Sequence, residues 1–160
     1  MGINKESDMS DNKYMCEYEY DANGKLIHRK NSNGDEWWYE YASNGKCVHE
    51  KGSDGSEEWY DSDGNCIHRK ESGRHEYWYE YENGKLVHET SDMGCEAFYE
   101  YDAAGNLIHA RGSDRSEWIG EYDVHGNLTY EKTYPYTEHW YTYKYKEING
   151  KYVVVKKVSR

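Results

Sequence analysis

The sequence predicts an all-β protein. The expected fold is an antiparallel β-meander, a β-repeat array of about six two-stranded units of roughly 20 residues, capped by a C-terminal β-hairpin. Three observations carry this expectation. The glycines Gly24, Gly45, Gly64, Gly84, Gly105 and Gly126 recur at spacings of 21, 19, 20, 21 and 21 residues. Short aromatic segments with alternating acidic residues, such as Trp38-Tyr39-Glu40-Tyr41, read as half-buried strands. Asn149-Gly150, between Thr137–Lys146 and Lys151–Val158, is the strongest short hairpin signal. Together they predict about 12–14 short strands and no helix longer than two turns.

Within a unit the first strand ends in tyrosine, at Tyr20, Tyr41, Tyr81, Tyr101 and Tyr122. The third unit, ending Trp59-Tyr60-Asp61, is expected to be two residues short here and to break the tyrosine column. A turn follows, such as Asp21-Ala22-Asn23-Gly24, in which Asp opens the turn and Gly accepts positive φ. The second strand, Lys25-Leu26-Ile27-His28-Arg29-Lys30 in the first unit, carries three more columns. Two residues after each glycine stands Leu26, Cys47, Cys66, Leu86, Leu107 or Leu128; three after stands Ile27, Val48, Ile67, Val87, Ile108 or Thr129. Four after stands His28, His49, His68, His88, His109 or Tyr130. A second turn, Ser32-Asn33-Gly34, Ser53-Asp54-Gly55 or Ser72-Gly73, closes the unit.

Residues 14–133 hold the six units. Residues 1–13 form an N-terminal arm, in which Ile3-Asn4-Lys5-Glu6-Ser7-Asp8 echoes a second strand as a half-unit cap. Residues 134–160 form the basic hairpin, expected to end the array and cover its last edge.

Strand alternation assigns the faces. With the glycine turn closed by a bulge, Tyr20 falls opposite Leu26 and Tyr18 opposite His28, so Tyr, Leu and His share one face. Glu17, Glu19, Ile27 and Arg29 share the other, with Trp38, Trp78, Phe98 and Ile119 in equivalent positions. That second face carries a Glu column, Glu19, Glu40, Glu80, Glu100 and Glu121, beside aromatic rings.

Leu, Ile, Val and Phe make up only 18 of 160 residues, and the net charge is -11, a combination that ordinarily signals disorder. The 19 Tyr and 6 Trp argue the reverse, with rings supplying most of the buried surface. No apolar run is long enough for a transmembrane helix, and the acidity disfavours direct nucleic-acid binding. The charge is uneven. After Tyr143, Lys144, Lys146, Lys151, Lys156, Lys157 and Arg160 stand against Glu147, a net +5 that leaves -16 on the first 143 residues. Cys16, Cys47, Cys66 and Cys95 lie outside C-x-x-C spacing. With no signal peptide visible in Met1–Lys13, they read as unbridged thiols of a cytoplasmic protein.

Three segments are similar to the tyrosine–aspartate (YD) repeats of Rhs-type bacterial proteins: Tyr20-Asp21-Ala22-Asn23-Gly24-Lys25-Leu26, Tyr101-Asp102-Ala103-Ala104-Gly105-Asn106-Leu107 and Tyr122-Asp123-Val124-His125-Gly126-Asn127-Leu128. The resemblance covers roughly residues 14–133. It implies a β-repeat scaffold of bacterial or phage origin. In that family the repeats build large shells around a toxin, and this chain is far too short to enclose one. It departs from the pattern in its regular His, its Trp-Tyr-Glu-Tyr strand and its basic hairpin.

No catalytic constellation emerges, since a repeat places the same residues in every unit whereas an active site needs one convergence. Successive His of the column are expected about 9.6 Å apart, too far to share a zinc ion. Asp61-Ser62-Asp63-Gly64-Asn65 lacks the calcium-loop Glu, Ser72 standing in its place. No enzyme, cofactor or metal is expected, and no membrane partner. The expected function is protein binding, as a cytoplasmic inhibitor or immunity-type protein that occupies a basic surface of a partner such as a nuclease. Glu19, Glu40, Glu80, Glu100, Glu121, Trp38, Trp78 and Phe98 are the expected partner-binding residues. Two alternatives stand beside it: carbohydrate or cell-surface binding by the same rings, and a purely structural fragment of a larger repeat shell.

Overall fold

The computed structural model describes residues 6–7, 16–73, 75–135 and 137–159, and every regular element among them is a strand. Fifteen strands follow one another in an antiparallel meander whose order is the chain order. They are β1 (Glu6–Ser7), β2 (Cys16–Tyr20), β3 (Leu26–Asn31), β4 (Glu36–Tyr41), β5 (Cys47–Gly52), β6 (Glu57–Tyr60), β7 (Cys66–Lys70), β8 (Glu76–Glu82), β9 (Lys85–Ser91), β10 (Glu96–Tyr101), β11 (Leu107–Gly112), β12 (Glu117–Tyr122), β13 (Leu128–Tyr134), β14 (Thr137–Ile148) and β15 (Lys151–Ser159). The all-β meander is as expected, with slightly more strands than the sequence suggested. The short β1 is one of them, with Glu6 opposite Tyr18 and Ser7 opposite Glu17. The rest of the expected N-terminal half-unit lies outside the described residues.

The chain forms two compact units, residues 1–85 with 90–93, and residues 86–89 with 94–160. In the first, β1 to β8 pair consecutively. In the second, β10 to β15 do the same.

The Tyr-Asp pair has a local cause. The side-chain oxygen Oδ1 of Asp21 accepts the backbone N–H of Asn23 and of Lys25, both at 2.8 Å. Gly24, at φ 80°, closes the turn with its own N–H on the Asp21 carbonyl. The Lys25 and Asn23 amides hold the Asp21 carboxyl below its usual range. The same Asp-to-amide bonding recurs at Asp61, Asp102 and Asp123. The fourth unit differs. Asn83 and Gly84 (φ 51° and 74°) make a two-residue turn of the kind that matches strand twist, so Tyr81 stands three residues before its glycine instead of four. The third unit is short, with β6 only four residues long, yet Tyr60 keeps the tyrosine column opposite Cys66. The column is therefore not broken there.

The register corrects the expected faces. Tyr20 is opposite Leu26, but beyond that pair Ile27 is an extra residue, so Glu19 meets His28 and Tyr18 meets Arg29. Val48, Ile67, Ile108 and Thr129 are skipped in the same way. A bulge sets two residues against one and reverses the alternation beyond it. The His column therefore lies on the Glu and ring face, and Arg29 on the Tyr face.

A second correction concerns the core. No apolar side chain among the described residues is fully buried, and the rings are at best half-buried. What crosses from strand to strand on each face takes the place of a core. On the Tyr face the hydroxyls of Tyr41, Tyr101 and Tyr143 donate to the carbonyls of Leu26, Leu86 and Leu128, at 2.7, 2.9 and 2.8 Å. Arg29 lies 3.9 Å above the ring of Trp37.

The turn assignment predicts that Gly84→Val lowers the urea midpoint more than Lys85→Val. The difference should correspond to about 1–3 kcal/mol, the cost of holding a β-branched residue at positive φ. Equal midpoints would contradict the turn.

Candidate protein-binding face

Cross-strand register assembles this face from three columns. Glu19, His28 and Trp38 lie opposite one another across β2, β3 and β4. Glu40, His49 and Trp59 do so across β4, β5 and β6, and His68 meets Trp78 across β7 and β8. In the second unit Glu100, His109 and Ile119 align, as do Glu121, Tyr130 and Trp140. Phe98 stacks on His88 with centroids 4.5 Å apart. Glu80, two residues after Trp78 on β8, falls on the same face of that strand as Trp78 by alternation. Within each unit the glutamates and rings expected to bind a partner share a face, with histidines between them, whereas Arg29, expected with them, lies on the other face.

The imidazoles lie nearly parallel to their rings. His28 and Trp38 are 5.1 Å apart at 16°, and His68 and Trp78 are 5.0 Å apart at 7°. Trp59 stacks on two histidines, His49 at 4.8 Å and His68 at 4.4 Å. The short third unit explains this. In β4 the ring (Trp38) and the carboxylate (Glu40) are two residues apart, and with two residues missing from β6 one tryptophan occupies both positions.

Sequence reasoning missed a second glutamate column. Nε2 of His28, His49, His68, His88 and His109 donates to Glu36, Glu57, Glu76, Glu96 and Glu117, at 2.9, 3.0, 3.1, 2.9 and 2.8 Å. Each glutamate stands eight residues after its histidine, a constant spacing visible in the chain. The first Glu column closes from the other side: Glu19, Glu40 and Glu100 lie 3.7, 3.6 and 3.3 Å from Nδ1 of His28, His49 and His109. Each of these three imidazoles is clamped between two carboxylates on neighbouring strands.

An ionised carboxylate only accepts, so the near glutamate fixes a proton on Nε2. At His109 the bond to Glu117, reinforced by Glu100, holds the imidazole above its ordinary value. The Glu36 carboxyl is held low by Lys30 and by His28. Trp38 and Trp78 remain 40% and 39% exposed, and the Glu40 side chain is 73% exposed.

Cys16, Cys47 and Cys66 carry free thiols. Burial pushes the thiols of Cys47 and Cys66 up, away from the thiolate that nucleophilic chemistry needs. Among the described residues no group of three or more potential ligands gathers to hold a metal.

A family model, Teneurin YD-shell, matches residues 3–152. The chain belongs to the YD-shell family. Its fold is similar to parts of the crystal structures of TcdB2-TccC3-TEV and TcdB2-TccC3-Cdc42, at 17% and 16% identity and TM-scores of 0.57 each. These alignments cover 91% and 94% of this chain but 9% and 10% of those chains. The Photorhabdus luminescens Tc holotoxin pore matches at 17% identity and a TM-score of 0.59, over 83% of this chain and 8% of that one. This YD-shell chain therefore spans about a tenth or less of the length of the structures it matches. No curated protein matches it.

Two predictions follow from the clamp. Trp59→Ala should destabilise more than Trp38→Ala in urea unfolding, by about 0.5–1.5 kcal/mol, because one ring serves two stacks. Equal losses would contradict the double role. For His109 the folded value lies above the ordinary 6.5, so its stabilisation is complete below that pH and is lost as pH rises through the folded value. The stability difference between wild type and His109→Gln should shrink from about pH 6 to about pH 8; a difference that grows with pH would contradict the clamp.

Proposed function

We propose that this chain is a non-enzymatic scaffold element, a stretch of YD-type shell wall that presents a repeated surface. The observation that supports this best is a sheet with no fully buried apolar side chain among the described residues, in which the same lateral histidine–glutamate bond recurs from repeat to repeat. Such an array is modular, with each unit held by its neighbours. Deleting residues 25–45, one full period from Gly24 to Gly45, joins Gly24 to Lys46 and keeps the register. The shortened chain should remain folded, with a cooperative transition by circular dichroism and tryptophan fluorescence. Loss of folding would sink the modular-wall reading.

A second reading is favoured by the exposure of Glu40 beside Trp38: the Glu–His–ring face docks on a basic protein surface, as an inhibitor or immunity-type protein would. On this reading lysozyme, used as a basic probe, binds saturably, and rising salt slows its association. Glu19→Gln with Glu40→Gln weakens binding severalfold, a modest effect at an exposed rim. Non-saturable binding that ignores both carboxylates would rule it out.

A further inference from the structure

The C-terminal hairpin has two unlike faces. Residues 137–140 of β14 pair with β13, whereas Tyr141 to Ile148 pair with β15. Alternation along that stretch leaves Tyr141, Tyr143 and Tyr145 half-buried and Thr142, Lys144, Lys146 and Ile148 exposed. The tyrosines anchor the ribbon to the last repeat. Tyr141 donates to Glu131, Tyr143 to the Leu128 carbonyl, and Tyr145 to Asp123 while accepting from Asn127. The ring of His125 packs 4.5 Å from Tyr145 and 5.2 Å from Tyr152.

The opposite face has a different chemistry. Register adds Lys151, Val153 and Val158 beside Ile148, Lys146 and Thr142, and these three are exposed as well. Lysines and aliphatic side chains therefore alternate on one side of a ribbon fixed by the other. The complementary surface lies on the same chain. In the first unit, Glu19 and Glu40 are interleaved with the half-exposed rings of Trp38 and Trp78 and with exposed Ile27 and Ile67.

We propose that the Lys144–Lys146–Lys151 face of the hairpin docks on the Glu19–Glu40 face of a second copy of this chain. This rests on the second reading above and names its basic partner. Two features select this occupant: the exposed lysines Lys144, Lys146 and Lys151 facing the carboxylates Glu19 and Glu40 of a segment of opposite net charge, +5 after Tyr143 against -16 before it, and apolar groups interleaved with both. An anionic bilayer or nucleic acid would meet the hairpin too, but would also meet the net -11 of the chain. Contacts within about 8 Å are governed by local charge at physiological salt, so a small protein patch avoids that repulsion. Because the two patches differ, the contact is heterologous and repeats head to tail.

The test is sedimentation velocity of the full chain up to about 200 μM, with NaCl from about 25 to 500 mM. Wild type should associate as concentration rises and dissociate as salt rises. Lys144→Glu with Lys146→Glu, and separately Glu19→Lys with Glu40→Lys, should each weaken association at least about tenfold. Mixing the two charge-reversed variants should restore it. Circular dichroism of each variant checks that it is folded, and the mixture is read only if both are; if either is not, Lys151→Glu and Glu40→Gln singly replace them. Wild type that stays monomeric throughout, association that strengthens with salt, or association indifferent to the charge reversals would overturn the proposal. So would flotation of monomeric wild type with phosphatidylserine vesicles. If lysozyme binds through Glu19 and Glu40 while wild type stays monomeric, the docking reading survives and only this partner fails; if neither binds, both fall.

Discussion

With no apolar side chain fully buried among the described residues, each strand is held by what reaches across it from its neighbours, and the imidazole bonded to a carboxylate, clamped by a second one at His28, His49 and His109, is the recurring means. It joins three strands at a time: the far glutamate from the strand before, the histidine in the middle, the near glutamate and its ring from the strand after. Each contact is modest alone, about 0.5–1.5 kcal/mol for a net hydrogen bond and a similar amount for a ring pair. The near histidine–glutamate bond repeats at His28, His49, His68, His88 and His109 and the ring stack at the first four, which gives a chain with so few aliphatic residues a reason to fold. The Tyr face adds hydroxyl-to-carbonyl bonds of the same repeating kind.

The clamp depends on the bulge. Were Ile27 paired, it would itself stand opposite Glu19, and His28 would fall opposite Tyr18 on the tyrosine face. The exposed aliphatic at that position, Ile27 or Ile67, is the residue left over when the turn geometry and the strand register are reconciled. A chain that seems to spend an aliphatic side chain on solvent thereby places its histidines between carboxylates.

The repeat, the strand order, the turns and the hairpin were legible in the sequence because glycine spacing, Tyr-Asp turns and Asn149-Gly150 are local signals. The shared face of Glu19, Trp38 and their equivalents was legible too, since those residues are separated by even steps along strands. The position of His28 was not. It depends on one unpaired residue, and an Ile at a bulge looks in sequence like an Ile in a strand. The near glutamates were written at a constant distance of eight residues from each histidine, but that interval spans a turn and has meaning only once the neighbouring strand is in register. The exposure of the rings was also hidden, because aromatic content alone does not say whether a second layer covers them.

The family assignment and the fold agree on a YD-type antiparallel β-repeat sheet. The account stands on the clamp being energetic and not only geometric. A double-mutant cycle on His49 and Glu57, the pair with the least exposed side chains among the clamps, at 18% and 16%, measures this directly. Urea unfolding of wild type, His49→Gln, Glu57→Gln and the double variant should give a favourable coupling of about 0.5 kcal/mol or more. A coupling indistinguishable from zero, with both single variants folded, would contradict the account.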